Sequence, residues 1–267
     1  MRSILLHIAD DDGLEARTQT ALDLARAFDA HLACLQAVPY EYGVPGDFYG
    51  SIVADLVPAL REAADKLREE CERRLIPEDV TWSWRQENGR ALEHLVRAGA
   101  LADLVVVGSH EPLSQAPSLL ARELVLRANA PILLVPGHVK GLDCEGTAIV
   151  AWNGSAEACR ALKAAVPLLA RARAVVLASV TGEERDFDLP AVEGAEYLSR
   201  HGIRCEMIEF PRGDGNVADV LADAAARRDA AYLVMGAYGR SRLSEAVLGG
   251  VTRSFFDDPP LPILMSH

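Results

Sequence analysis

The chain has 267 residues, half of them hydrophobic and a quarter charged, with a formal net charge of −12. That length suits two domains of ordinary size, and the acidic balance excludes nucleic-acid backbones and anionic membranes as favoured partners. The apolar run in MRSILLHIADDD is too short for a signal peptide, no run approaches the ~18 apolar residues of a membrane span, and five scattered cysteines without a CxxC support neither a zinc ribbon nor a disulfide framework, so a cytoplasmic protein is expected.

Apolar runs and helical periodicity alternate along the chain. Strands are expected at 3–9, 31–38, 80–86, 103–108 and 131–136, with helices at 14–28, 51–75, 90–100 and 116–128 between them. Cys34 lies in one such apolar run, and Cys205 in a later one; both read as core packing. The connection 38–53, with three Tyr, one Phe and three Gly, is long enough to be a lid or a docking segment. The helix after it carries LREECERRL, which reads as a solvated face. Trp82 and Trp84 alternate along a strand and point to one face, as core or interface residues do. The polar, Gly-rich seam GHVKGLDCEG, 137–146, reads as a linker. Beyond it strands are expected at 147–152, 174–181, 203–210, 231–236 and 262–266, and helices at 155–171, 190–201, 216–227 and 242–258.

The second series repeats the first. RELVLRANAPILLVP (122–136) aligns with RSFFDDPPLPILMSH (253–267) at a constant offset of 131. The fold class is therefore α/β: two tandem doubly wound five-stranded parallel sheets, in units 1–137 and 147–267. In such sheets ligands sit beyond the carboxyl ends of the strands where the strand order reverses, between the first and fourth strands of each unit. AWNGS and MGAYG then face one crevice in the second unit.

GAYGRSRLSEAVLGGVTRS (236–254) spaces Gly236, Gly239 and Gly249 around small and basic residues after a strand. Glycines there let backbone N–H groups approach a phosphate, although a glycine-rich turn kept for helix–strand packing would look the same. With the opening AIVAWNGS and the closing LPILM, this frame resembles the universal stress protein family in its tandem form, over essentially the whole chain. The resemblance implies an adenine-nucleotide-binding α/β fold, ATP or ADP as ligand, a role in stress survival, and pairing of the two halves through their last strands as an intramolecular pseudo-dimer, with a homodimer of the whole chain compatible. Carried over by position, Ala151, Trp152 and Asn153 would line the adenosine end, and Val180 would meet the adenine. Met235, Gly236, Gly239 and Arg240 would run along the ribose and phosphates. Gly249, Gly250, Val251 and Thr252 would offer N–H groups, and Thr252 a hydroxyl. Two positions depart from the family pattern: Gly250 stands where Ser or Thr is usual, and Asn153 where Asp is usual. Both leave binding intact as an expectation and weaken the case for hydrolysis, so at most slow ATP hydrolysis is expected and no catalytic residue is assigned.

The first unit lacks the frame. It reads GSHEPLSQAPSLLARELVL, with Glu111 in place of Gly239, and Arg122 follows Gly108 by fourteen positions whereas Arg253 follows Gly236 by seventeen. A carboxylate and a shortened, proline-stiffened loop do not suit a triphosphate. Instead Asp10, Asp11 and Asp12 share a crevice with His110, a set that suits a divalent metal such as zinc or manganese, or else simple N-caps and solvated turns. Alternatives to a nucleotide-linked sensor are thus a ligand-free interaction scaffold and a metal-dependent hydrolase in the first unit. No GxxxxGK[ST], no GxSxG and no serine-rich glycine loop of the ATP-pyrophosphatase type occurs.

Overall fold

The computed structural model describes residues 1–38, 48–111, 116–181, 189–211, 216–239 and 250–267. The first half runs β1 (Ser3–Ile8), α1 (Leu14–Phe28), β2 (His31–Val38), α2 (Phe48–Leu75), β3 (Trp82–Asn88), α3 (Ala91–Gly99), β4 (Leu104–Gly108), α4 (Leu119–Arg127) and β5 (Ile132–Val135). The second runs β6 (Thr147–Ala151), α5 (Ala156–Leu169), β7 (Ala174–Val180), α6 (Ala191–Arg200), β8 (Cys205–Phe210), α7 (Val217–Arg227), β9 (Ala230–Gly236), α8 (Gly250–Asp257) and β10 (Ile263–Ser266). The helix expected from 242 is seen from Gly250, since 240–249 lie outside the described residues, as does most of the long connection, 39–47.

All ten strands form one sheet in the order β3-β2-β1-β4-β5-β10-β9-β6-β7-β8. Every pairing is parallel except β5 with β10, which is antiparallel. Each half thus has the order 3-2-1-4-5, and the two last strands zip the halves together. The register at the seam places Leu133 opposite Leu264, its own counterpart at the offset of 131, with Ile132 opposite Met265 and Leu134 opposite Ile263. A pairing that maps onto itself when the halves are exchanged is what a two-fold axis requires. One chain thereby builds the interface that two copies of a half would otherwise form.

Burial follows position in the sheet. The inner strands, such as β5 (ILLV) and β9 (AAYLVMG), are near-continuous apolar runs because helices cover both faces. The edge strands β3 (WSWRQEN) and β8 (CEMIEF) are half-exposed and carry charge, which discourages pairing with other chains. On α2, Leu67, Cys71 and Leu75 are buried at intervals of one turn while Glu69 and Glu70 face solvent. Cys34 is fully buried, and burial pushes its thiol up to about 12; Cys205 is only partly buried. The seam 137–146 differs from a loose tether. Leu142 and Cys144 are buried, and the Leu142 N–H donates to Asp23 of α1 at 2.9 Å. Gly141 takes φ of 149°, and a Cβ there would sit 2.4 Å from Asp23 Oδ2, so only glycine fits.

Candidate functional site

Strand order reverses between β1 and β4 and again between β6 and β9. In the second half the crevice beyond β6 and β9 holds a cavity of about 210 Å³. Ala151, Trp152, Asn153, Val180, Met235, Gly236, Gly239, Gly250, Val251 and Thr252 all line it. Arg240 and Gly249 lie outside the described residues. The lining also includes Ser155, Ala178, Asn216, Val217 and Leu221, which sequence reasoning missed. Two of these carried readable signals. Ala178 is two residues before Val180 and so shares its strand face, and Asn216 precedes an apolar helical run as an N-cap does.

The local structure accounts for the placement. Trp152 is pinned: its backbone N–H donates to Ala178 O at 2.8 Å and its indole Nε1–H to Leu189 O at 3.0 Å, with Gly194 packed against the ring. It supplies a rigid aromatic wall continuous with Ala151, Ala178, Val180, Val217 and Leu221. Ser155 caps α5 by accepting from the Ala158 N–H at 3.2 Å, and Asn216 caps α7 by accepting from the Ala218 N–H at 3.2 Å. Gly250, Val251 and Thr252 belong to α8 and are its first described residues. The N-termini of α5 and α7 reach the cavity through their caps Ser155 and Asn216, each end carrying about half a positive charge. An apolar wall thus adjoins a rim that includes two positive helix ends, inside a chain of net charge −12.

The glycines divide by cause. A Cβ on Gly236 would lie 2.5 Å from Ala158 N and from Glu157 C, backbone atoms of the α5 start, so this glycine is demanded by helix–strand packing. On Gly239 it would meet the Glu157 carboxylate at 3.0 Å and Ser155 Oγ at 3.4 Å, side-chain atoms rather than backbone, and on Gly250 nothing within 4 Å among the described residues. Neither Gly239 nor Gly250 has a positive φ. Packing among the described residues thus demands glycine at Gly236, meets only side chains at Gly239 and makes no such demand at Gly250.

The first-half crevice is built differently. His7 occupies the β1 position that Ala151 holds in β6, and it is buried. Burial, then the neighbouring Arg17 guanidinium, push its imidazole down to about 3, so it is neutral. Arg17 is fully buried beneath Gly108, donating to His7 O at 2.8 Å, Ala9 O at 2.6 Å and Asp11 Oδ1 at 2.5 Å. Glu111 turns its carboxylate onto the Leu119 N–H, and Ser118 Oγ accepts from the Ala121 N–H, so the α4 N-terminus is capped from within. The mouth, about 520 Å³, is lined by Asp10, Asp11, Asp12, Gly13, Gly108, Ser109, His110, Glu111, Gly137 and His138, with no apolar side chain among them. The expected metal set of Asp10, Asp11, Asp12 and His110 does not assemble. Among the described residues no three such groups stand close enough to hold an ion. Asp11 is committed to Arg17, and His110 Nδ1 to Ser109 Oγ at 2.8 Å.

Comparison with known proteins agrees with this geometry. The model of the Universal stress protein family matches residues 146–267. Among solved structures, a universal stress protein from Archaeoglobus fulgidus is similar with a TM-score of 0.73 at 15% identity, covering 99% of this chain and 96% of that one. A functionally unknown protein from Pseudomonas aeruginosa has a TM-score of 0.57 at 18% identity, covering 100% of this chain and 92% of that one. At these identities the likeness concerns the fold. No curated protein matches the chain.

Proposed function

We propose, for a chain whose second half belongs to the universal stress protein family and whose two halves together carry its fold, that the cavity beyond β6 and β9 binds an adenine nucleotide, ATP or ADP. The observation that carries this is one cavity that joins an apolar, tryptophan-backed wall to the N-termini of α5 and α7 and to the backbone of Gly239, Gly250 and Val251. The wall suits a base, and the rim suits phosphates. Gly239, Arg240, Gly249 and Gly250 would run along the phosphate side, with Thr252 adding a hydroxyl. The first unit, 1–137, is a degenerate copy that takes no nucleotide, because Arg17, His7 and the Glu111 carboxylate occupy the corresponding ground.

The protein then acts as a nucleotide-linked sensor or regulator in a stress response rather than as a fast enzyme. Among the described lining residues there is no Asp, Glu, His or Lys to serve as a general base. The test is to purify the protein without added ligand, denature it and assay the supernatant for nucleotides. Adenine nucleotide near one per chain, absent from Gly239→Glu, supports the reading. An empty supernatant together with no thermal shift on adding ATP overturns it in favour of an interaction scaffold.

A further inference from the structure

We infer that Tyr238 is a positioning residue through which the first half holds the shape of the short glycine loop 236–239 in the second. The nucleotide reading supplies the ligand for this role; the geometry stands apart from it. Tyr238 lies between Gly236 and Gly239, both of which line the cavity, and has φ of 63°. A bulky side chain in the left-handed region is an outlier, and it persists only where its surroundings over-determine it. Here they do. The phenol O–H donates to the backbone carbonyl of Arg122, on α4 of the first half, at 3.2 Å. The ring lies 6.3 Å from Phe256 and stands edge-on to His267 at 6.1 Å. The Tyr238 N–H points to Thr252 Oγ1 at 3.4 Å, joining it to α8. Burial raises the pKa of the phenol, which keeps it a donor, although Arg122 opposes the shift.

The anchor is itself fixed. The Arg122 guanidinium lies 5.8 Å from the Phe256 ring centre and pairs with Asp257, at the end of α8. Arg122 thus grips α8 by its side chain and the glycine loop by its carbonyl. The strap runs one way. At the matching place in the first half stands His110, which bonds its own neighbour Ser109 rather than the other half. A change in the loop must therefore be felt by α4, and a change at α4 by the loop, since coupling between sites is reciprocal.

Tyr238→Phe tests this, because it keeps the ring and removes one hydrogen bond. ADP affinity, read from the fluorescence of Trp152, should fall about fivefold, the worth of one such bond. ADP should slow amide exchange across α4 in the wild type, and that slowing should vanish in Tyr238→Phe even at saturating ADP. If the variant only melts earlier and ADP protects α4 as before, the inference is overturned. If neither protein binds ADP, the nucleotide reading fails, and the ligand-free proteins decide the positioning role. Exchange several-fold faster at Gly239 and Val251 in Tyr238→Phe upholds it, and unchanged exchange there overturns it.

Discussion

Substituting Gly236 and Gly250 by alanine separates what folding demands from what the cavity leaves open. A Cβ on Gly236 would stand 2.5 Å from two backbone atoms of the α5 start, where ordinary contact begins at 3.4 Å. The neighbours cannot rotate aside, so β9 and α5 must part by about 1 Å. α5 also packs on β10, which forms the seam between the halves, so the strain spreads into the join. Overpacking of this kind costs about 1–3 kcal/mol, and a backbone clash belongs at the upper end. At about 2–4 °C per kcal/mol for a chain of this size, the melting temperature should fall by about 5–10 °C. Gly250→Ala adds a methyl with nothing within 4 Å among the described residues, at a residue without positive φ, and should stay within about 0.5 kcal/mol of the wild type while weakening nucleotide affinity. Urea denaturation and ADP titration of the two variants measure both effects. Equal stability of Gly236→Ala and the wild type would refute the packing argument.

Three further outcomes follow from the same structure. His7 is held neutral, its pKa lowered from 6.5 to about 3, so between those values the unfolded chain binds one more proton. Stability is complete above pH 6.5 and is lost as pH falls through that window, by up to about 1.4 kcal/mol per unit; urea midpoints at pH 7, 6 and 5 should show a steeper fall for the wild type than for His7→Gln. Asp11→Ala strips the partner from the fully buried Arg17 and should cost about 3 kcal/mol in chemical denaturation, whereas loss below 0.5 kcal/mol would mean that the two backbone carbonyls suffice. Trp152 lies on the cavity wall and Trp82 and Trp84 on the far edge strand β3, so ADP should change the emission of the wild type and leave that of Trp152→Phe unaltered.

The architecture was open to reading because parallel strands and amphipathic helices write strong local patterns. The helix expected at 14–28 is α1, and the strand expected at 31–38 is β2. The repeat of PILLVP in PILMSH marked the two last strands as counterparts, and their pairing was what the family resemblance implied; β5 and β10 do pair. The crevice followed from strand order alone. What sequence could not show is where long side chains go across the fold. Arg17 sits in an amphipathic helix and looks like a solvated cation, yet β4 arrives above it and Asp11 folds under, which turns an apparent metal ligand into half of an ion pair. Tyr238 carried no signal of its own in the sequence, because its anchor lies 116 residues away in α4. Gly236 could be read either as part of a phosphate frame or as a packing glycine, and the approach of α5 shows that packing demands it.

The most direct test of the whole account is the stoichiometry of ADP binding, measured by calorimetric titration of the wild type and of Gly239→Glu. The two-fold symmetric fold offers two crevices, but the Glu111 carboxylate on the α4 N-terminus of the first and the apolar, glycine-lined cavity of the second predict about one ADP per chain, and none for the variant, with its fold intact by circular dichroism. Two ADP per chain, or undiminished binding to Gly239→Glu, would contradict it.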